Sequence, residues 1–247
     1  MKNKFLTAIA AVALMGFTSC GDDDASDSFD DANGDVAKKY IKTVTTTSSE
    51  SNSDTATLTV NYDSAGKVTS ATDGEETSFF AYDNGNLQNI SGSGDVLNIP
   101  DLLSSPQDGY EVGDVLNYDS NGNPVKVRIF ERDWDGAIYA EYTGEITYDD
   151  KPNPYYYTLE AAGIIKVLDD LDLNFSMTPQ SQELIKAKLL LPVNNPKKVV
   201  VKAADGTVTK TIVTDYVYNS DKYPVSATAT ETSEYGTYIY VTNYTYK

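Results

Sequence analysis

Histidine is absent from this chain, and cysteine occurs only once, at Cys20. The missing histidine excludes Ser-His-Asp catalysis and any zinc site that needs an imidazole ligand. The single cysteine excludes an intramolecular disulfide, and once Cys20 is modified no thiol remains for metal binding or nucleophilic attack. Tryptophan also occurs once, at Trp134, so the aromatic character of the chain comes mainly from its 19 tyrosines.

Basic residues are scarce: 19 Lys and Arg stand against 37 Asp and Glu, which gives a formal charge of −18. Such a charge repels nucleic-acid phosphates and anionic lipid headgroups, so we predict no nucleic-acid partner. The sequence also predicts no cofactor. Its glycine-rich segment, residues 91–94, is followed by neither a lysine nor a helix start, as a phosphate-binding loop requires.

The first residues have the order of a bacterial lipoprotein signal. Lys2 and Lys4 precede an apolar run at residues 5–17, which is too short to cross a bilayer of ~30 Å. A small polar pair and then Cys20 follow, and this junction resembles the looser lipobox of Bacteroidetes lipoproteins. We predict a signal peptide at 1–19, lipidation of Cys20 and membrane anchoring through that lipid. The predicted location is the outer membrane, with periplasmic and cell-surface display both left open.

An acidic segment follows Cys20, and we predict that residues 20–36 form a disordered, self-repelling tether. Aspartates dominate this segment, and few of its side chains are apolar enough to be buried. Residues 31–35 match the first half of an EF-hand loop, but Lys42 stands where the bidentate glutamate is needed. A tether is therefore preferred over a calcium site, and no metal is predicted.

Tyrosine, threonine and valine are abundant in the rest of the chain, as expected for an antiparallel sheet with one solvated face. One unit recurs: a strand ends in tyrosine, and an Asp- or Asn-rich turn, usually with glycine, follows it. Its copies have their tyrosines at Tyr62, Tyr82, Tyr118, Tyr148 and Tyr218. Because the spacing is irregular, we predict a single all-β domain at 37–247, a large antiparallel meander curved into a barrel or half-barrel.

A helical insertion near 159–190 interrupts the predicted strands. Apolar residues at helical spacing predict one short helix at 159–171 and a second at 180–190. Just before this insertion, Pro152 and Pro154 lack backbone N–H donors, which argues against a central strand there.

Three features of the chain resemble one known family. They are the Tyr-Asp turns, the apolar insertion, and two flanking segments, Lys151-Pro152-Asn153-Pro154 and Asn194-Asn195-Pro196-Lys197-Lys198. The family is that of Bacteroidetes lipoproteins with a domain of unknown function and a porin-like fold. The resemblance covers about residues 40–247 and implies a strongly curved antiparallel sheet or barrel. It implies no activity and transfers no catalytic or binding residue. The polar alternate face favours a soluble, anchored form over a membrane-spanning one.

Three aromatic residues are candidates for ligand binding. Trp134 lies between aspartates at a predicted hairpin tip, where its ring either stacks on a sugar or folds back onto the sheet. Tyr155 and Tyr156 follow Pro154 and either line the mouth of a groove or pack against the helical insertion.

Carboxylate pairs are the remaining candidates for chemistry. Glu131 with Asp133, or Glu141 with Glu145, supply the residue types of a glycosidase, which needs two carboxyls ~5–9.5 Å apart. Each pair is more simply explained as solvated strand residues. The leading hypothesis is a lipid-anchored, non-enzymatic envelope protein that binds a glycan, an apolar ligand or a protein. The alternatives are a structural or assembly partner of an outer-membrane complex, and a carboxylate-dependent glycoside hydrolase.

Overall fold

The computed structural model describes residues 24–49, 55–176 and 183–247. The predicted signal peptide and the predicted lipidation site, Cys20, lie outside the described residues, so both stay predictions. Most of the described chain is β-strand, joined by tight turns and a few short helices.

The elements alternate between hairpins and short helical pieces along the chain. The first group is α1 Ala25–Asn33, β1 Ile41–Ser48, β2 Thr55–Tyr62, β3 Val68–Thr72, β4 Thr77–Asp83, β5 Asn86–Gly92 and β6 Asp95–Asn98. The second group is α2 Ile99–Leu103, β7 Gln107–Asp108, β8 Gly113–Tyr118, β9 Pro124–Arg132 and β10 Ile138–Pro152. The insertion holds α3 Tyr156–Ala161, α4 Ile164–Asp170, β11 Asp172–Asn174, β12 Leu184–Lys186 and a 3₁₀ helix Ala187–Leu190. The last group is β13 Asn194–Ala203, β14 Val208–Tyr218, β15 Pro224–Ser233 and β16 Gly236–Tyr246.

One 13-stranded antiparallel sheet has the order β6-β5-β4-β3-β2-β1-β16-β15-β14-β13-β10-β9-β8, which confirms the predicted all-β antiparallel fold. A barrel requires every strand to have two neighbours. In the part of the chain that the structure describes, β6 and β8 are edge strands that do not pair with each other, so the sheet is not closed into a barrel. A small second sheet has the order β12-β11-β7, with β7 parallel to β11.

The two faces of the large sheet differ in what covers them, because side chains alternate along each strand. Val44 and Val60 lie on one face and pack against Ala162, at the end of α3. We call this side the helix face. The opposite side, which carries Thr43 and Thr45, is called the open face.

The Tyr-Asp turns predicted from sequence are confirmed as hairpin turns. In the β8–β9 turn, Asp119 Oδ1 accepts hydrogen bonds from the backbone N–H groups of Asn121 and Asn123, both at 2.9 Å. Gly122 takes the left-handed backbone with φ of 80°, which glycine adopts without strain. In the β14–β15 turn, Asn219 Oδ1 accepts the corresponding hydrogen bonds from the N–H groups of Asp221 and Tyr223, but here Lys222 occupies the left-handed position with φ of 70°.

Tyrosine hydroxyls near these turns join neighbouring strands. In each case, the tyrosine lies near the end of one strand and its hydroxyl donates to a carbonyl at the start of the neighbouring strand. The pairs are Tyr62 to Ile41 at 2.6 Å, Tyr82 to Val68 at 2.7 Å, Tyr148 to Pro124 at 2.9 Å, Tyr216 to Pro196 at 3.1 Å and Tyr246 to Pro224 at 2.6 Å. We call these five hydrogen bonds the tyrosine bridges. They give part of the tyrosine-rich composition a structural explanation within the sheet.

The helical insertion is only partly as predicted. The first predicted helix is present as α3 and α4, which are separated at Gly163 with φ of 75°. The second predicted helix is wrong in its described part, because residues 184–186 form strand β12 and only the 3₁₀ helix follows. The apolar residues of β12 have helical spacing, but hydrogen bonding of β12 to β11 holds them in a strand.

The argument against a strand at the prolines is also wrong. Strand β10 continues to Pro152, which is paired with Asn194 of β13. The register shifts on both sides of Tyr148, so the ladder is already irregular where Pro152, which lacks an N–H, enters it.

The predicted disordered tether is wrong for its described part, because residues 25–33 form helix α1. Phe29 is fully buried and stacks on Tyr156 with ring centroids 3.8 Å apart. Asn33 Nδ2 donates to the carbonyl oxygen of Val193 at 3.1 Å, which fixes the end of the helix against the sheet. Phe29 buries its whole ring, and Ala25, Ala32 and Val36 pack in the same cluster, so this aspartate-rich segment docks through a few apolar residues.

A buried asparagine cluster joins three parts of the fold. Asn123 Nδ2 donates to Asn194 Oδ1 at 2.8 Å, and Asn123 Oδ1 accepts from the N–H of Val193, also at 2.8 Å. Asn194 Nδ2 in turn donates to Asn33 Oδ1 at 3.2 Å. The β8–β9 turn, the start of β13 and α1 are thereby held together by groups that have partners despite their burial.

Candidate functional site

The two ends of the sheet have different structures. The Tyr-Asp turns, α1 and α3 lie at one end, whereas the β9–β10 and β15–β16 turns lie at the other end, because successive strands run in opposite directions. Strand β15 has 10 residues and separates the two ends by roughly 34 Å. Helices cover the first end, which leaves the second as the place to look for exposed aromatic rings.

Trp134 lies in the β9–β10 turn, as predicted for a hairpin tip. Asp133 Oδ1 accepts from the N–H groups of Asp135 and Ala137 at 3.0 and 2.9 Å, which fixes the turn. The Trp134 side chain is 93% exposed, so the alternative that it folds back onto the sheet is wrong. A role in binding stays a prediction.

A cluster of tyrosines and glutamates lies at the same end of the sheet. We call it the tyrosine cluster; its members are Tyr139, Tyr142, Tyr235, Glu131 and Glu234. Tyr142 donates to Glu131 Oε2 at 3.5 Å, and a hydrogen bond with Glu131 raises the pKa of Tyr139. The charge of Glu131, followed by burial and by Tyr235 and Glu234, raises the pKa of Tyr142, so these groups lie close together.

The rings of this cluster have accessible faces. Tyr235 is 80% exposed and Tyr139 is 66% exposed. Glu131 accepts a hydrogen bond from the Tyr142 hydroxyl, and its effect on the pKa of Tyr139 places that hydroxyl near the same carboxylate. An exposed ring face packs on apolar C–H groups, and a carboxylate accepts strong hydrogen bonds from hydroxyl groups. The sequence analysis missed this cluster, and the two Tyr-x-x-Tyr spacings beside hairpin turns, 139–142 and 235–238, are the signal that marks it.

Tyr155 and Tyr156 pack against neighbouring elements, which is the second of the two alternatives left open by the sequence, although Tyr156 also borders a small cleft beside α1. Tyr156 is only 1% exposed and donates from its hydroxyl to Ser26 Oγ at 2.9 Å. Tyr155 is half-buried and lies edge-on to Tyr244 of β16, with ring centroids 6.3 Å apart. Tyr156 packs against α1, whereas Tyr155 packs on the helix face of the sheet, and a ligand-binding role for either stays a prediction.

Two clefts flank α1, and both are small. One has a volume of about 220 Å³ between α1, the β8–β9 turn and residues 188–193, and the other has about 170 Å³ beside Tyr157 and Glu160. Pockets for drug-sized ligands usually have ~300 Å³ or more. Neither cleft therefore has the size of a lipid-carrier cavity.

The carboxylate pairs considered from sequence are used differently in the structure. Glu145 lies 2.7 Å from Lys202 Nζ, and this hydrogen bond lowers the pKa of Glu145. A glycosidase acid needs the opposite shift. Asp133 fixes its turn, while Glu131 binds tyrosine hydroxyls, so these two groups point to different partners. Among residues 24–49, 55–176 and 183–247, no three acidic, histidine or cysteine side chains are grouped to hold a metal ion. Within the same residues, no helix has the length and apolar character to cross a bilayer.

Comparison with known proteins gives structural similarity alone. No protein-family model and no curated protein matches the sequence. The fold is similar to a porin-like protein from Bacteroides vulgatus, at 13% identity and a TM-score of 0.42, over 85% of this chain and 99% of that one. A porin-like protein from Bacteroides uniformis has 15% identity and a TM-score of 0.39, over 84% and 98%. A LolA superfamily protein from Nitrosomonas europaea has 11% identity and a TM-score of 0.26, over 90% and 92%. Membership of the lipoprotein family stays a prediction.

Proposed function

We propose that this chain is a lipid-anchored, non-enzymatic protein of the cell envelope that binds a neutral glycan at the tyrosine cluster. The observation that carries the proposal is the pair of exposed rings, Tyr235 and Tyr139, in one cluster with the carboxylates of Glu131 and Glu234. Trp134 adds a third exposed ring in the turn of the same β9–β10 hairpin. Sugar rings present apolar C–H faces together with hydroxyl donors. Exposed aromatic faces and carboxylate acceptors match both features.

The carboxylates also argue for the class of glycan. Glu131 and Glu234 place negative charge beside the rings, and the whole chain carries −18. A uronic acid or phosphorylated sugar would meet like charge at this site. A neutral glycan avoids that repulsion and can still donate its hydroxyls to the carboxylates.

An apolar ligand is less well supported than a glycan. The helix face is occupied near α3 by packed side chains, and the two clefts beside α1 are below the volume of a typical ligand pocket. The exposed end instead offers rings without a deep cavity, which suits an extended polar polymer.

The first experiment measures binding of the full chain to neutral and uronate oligosaccharides by isothermal titration calorimetry. We expect a neutral glycan to bind, and Tyr235→Ala and Trp134→Ala to weaken its binding about 3- to 10-fold each, since a stacked ring contributes about 1 kcal/mol. Phe79→Ala is the matched control, because Phe79 is 57% exposed on the opposite face of the sheet.

Three outcomes would contradict the glycan proposal. One is that no neutral oligosaccharide in a broad panel binds. Another is that Phe79→Ala weakens binding as much as Tyr235→Ala. A third is release of new reducing ends from the bound glycan, which would return the carboxylate hydrolase to first place.

Anchoring at Cys20 is part of the same proposal and has its own test. The order of basic residues, apolar run and Cys20 supports it. Cells fed an alkyne fatty acid should label the wild-type chain and leave the Cys20→Ser variant unlabelled. Retention of the label in Cys20→Ser would contradict lipidation at this residue without affecting the glycan site.

A further inference from the structure

A large part of the open face carries no charge, in a chain where 23% of the residues are charged. On this face β1 presents Thr43, Thr45 and Thr47, and β2 presents Thr55, Thr57 and Thr59. The same face continues across five neighbouring strands, in the order β3, β2, β1, β16 and β15. None of the residues paired on this face outside the turns is acidic or basic. We call these five strands' open side the uncharged face. A continuous exposed face that has no charged side chains can be buried against another surface without desolvating an ion, which suits it to protein contact.

The uncharged face also has apolar side chains at its centre and side. Ile239 and Val241 of β16 are 41% and 38% exposed. Val213 of the adjoining β14, just outside this face, is 40% exposed, and the same strand carries Asp215 opposite Thr228, where the uncharged region ends. Register pairing places Val213, Thr230 and Ile239 in one row across three neighbouring strands. Methyl groups therefore make up much of what a partner would contact.

Three pairs of threonine hydroxyls on the β2, β1 and β16 part of this face have partners within the sheet. Thr43 and Thr245 have their Oγ1 atoms 2.6 Å apart, and Thr45 and Thr57 have theirs 3.1 Å apart. A hydroxyl that keeps its hydrogen bond loses little when water is removed. These pairs reduce the number of donors that burial against another surface would leave unsatisfied.

We infer that the uncharged face packs against the same face of a second copy of this chain, so that two sheets stack in a two-fold dimer. The charge argues for this partner: each copy carries −18, and an uncharged face is where two such copies can approach with least repulsion. A two-fold contact is self-complementary, which a flat face of threonine, valine and isoleucine satisfies.

The area is sufficient for a specific dimer. Five strands spaced about 4.8 Å apart span about 24 Å, and the paired residues extend about 20 Å along the strands. The flat projection is then roughly 500 Å² on each copy, and the total of about 1,000 Å² is where specific interfaces begin. Two twisted sheets stack about 10 Å apart at an angle near −30°, a geometry that these side chains fit.

Sedimentation velocity of the full chain tests the dimer, in mild detergent that masks the apolar segment at residues 5–17. The wild type should sediment as a dimer of the 26.9 kDa chain. Val241→Lys puts a charge on the uncharged face between Thr47 and Thr228, and it should weaken the dimer at least about 10-fold. Leu97→Lys is the matched control, since Leu97 is 42% exposed on the edge strand β6, outside the uncharged face. Its register pairing through Ile90 with Phe80 places it on the side of the helix face.

Each result bears on the proposal. A dimer that Val241→Lys weakens and Leu97→Lys leaves intact supports it. A wild-type chain that stays monomeric up to roughly 100 µM overturns it, as does equal weakening by both variants. If Val241→Lys does not fold by circular dichroism, Thr45→Lys on β1 takes its place. Because the tyrosine cluster is not in this interface, loss of the dimer leaves the glycan result unchanged.

Discussion

The hydroxyl of Tyr148 donates to the carbonyl oxygen of Pro124 at 2.9 Å, which ties the end of β10 to the start of β9. Tyr148 is half-buried, and burial raises the pKa of its hydroxyl, so the hydroxyl stays protonated as a donor. We predict that Tyr148→Phe lowers the free energy of unfolding by about 1 kcal/mol, because the Pro124 carbonyl loses its partner. Urea unfolding followed by circular dichroism measures this difference.

Tyr118 is the matched control for the tyrosine bridges. It also precedes an Asp turn, but β8 is an edge strand and its buried hydroxyl has no hydrogen-bond partner among the described residues. Tyr118→Phe removes an unsatisfied buried group, so it should leave stability unchanged or raise it by up to about 1 kcal/mol. If Tyr118→Phe and Tyr148→Phe cost the same, the bridges do not contribute to stability as we describe.

The turn at Lys222 predicts a stabilising substitution. Lys222 has φ of 70° in the position that glycine occupies in the β8–β9 turn. A left-handed backbone costs a non-glycine residue about 1–2 kcal/mol, and the extra freedom of glycine in the unfolded chain returns part of that. Lys222→Gly should therefore raise the free energy of unfolding by about 0.5–1 kcal/mol in thermal or urea unfolding.

The reverse change is the control for this turn. Gly122→Ala places a Cβ on a residue with φ of 80°, with open space around it, so any cost is backbone strain alone. We expect it to lower the free energy of unfolding by about 1 kcal/mol. Opposite signs at Lys222 and Gly122 are the expected pattern, and a destabilising Lys222→Gly would contradict the explanation by strain.

Local patterns in the sequence were enough to predict the hairpins. An Asp or Asn at the start of a turn fixes that turn by accepting hydrogen bonds from backbone N–H groups two and four residues later, as Asp119 does. Strand alternation beside such turns then predicts the antiparallel sheet. The absence of barrel closure was beyond these signals, because pairing between the distant strands β6 and β8 depends on the twist summed over the whole sheet.

The parts that sequence reasoning missed depend on contacts between distant residues. Asn123 and Asn194 lie 71 positions apart, and an asparagine that is buried and satisfied looks in sequence like one in a solvated turn. Phe29 is a single aromatic residue among aspartates, whose burial depends on Tyr156 and Tyr157. The tyrosine cluster likewise brings the β9–β10 hairpin and the β15–β16 turn together through long side chains.

Docking of α1 gives a prediction that separates a packed helix from a tether. Phe29→Ala should lower the free energy of unfolding by about 3–5 kcal/mol, because the buried ring leaves a cavity beside Tyr156 and Tyr157. Hydrogen exchange followed by mass spectrometry should show the amides of α1 losing protection. Asp27→Ala, at an exposed position of the same helix, should leave both quantities nearly unchanged. Fast exchange across α1 in the wild-type chain would contradict the docked helix.

Stability should fall steeply at alkaline pH because buried tyrosines resist ionisation. Burial raises the pKa of Tyr155 and of Tyr82 from 10.0 to about 12, and it raises the pKa of Tyr216 and Tyr244 in the same direction. The folded state therefore binds these protons more tightly than the unfolded state. The contribution of these tyrosines to the free energy of unfolding is complete below pH 10. It is lost as pH rises toward 12, by about 2 kcal/mol for Tyr155 alone.

Urea unfolding at a series of pH values, together with the ultraviolet absorbance of tyrosinate, tests this dependence. Tyr155→Phe removes one group whose pKa is raised to about 12, so stability should decline less steeply between pH 10 and 12 than in the wild type. Tyrosinate absorbance should appear together with the loss of secondary structure, since ionisation of the buried hydroxyls requires opening of the sheet. If the tyrosines of the helix face ionised near pH 10 while the chain kept its structure, their burial would not be linked to stability, and the slope in Tyr155→Phe would equal that of the wild type.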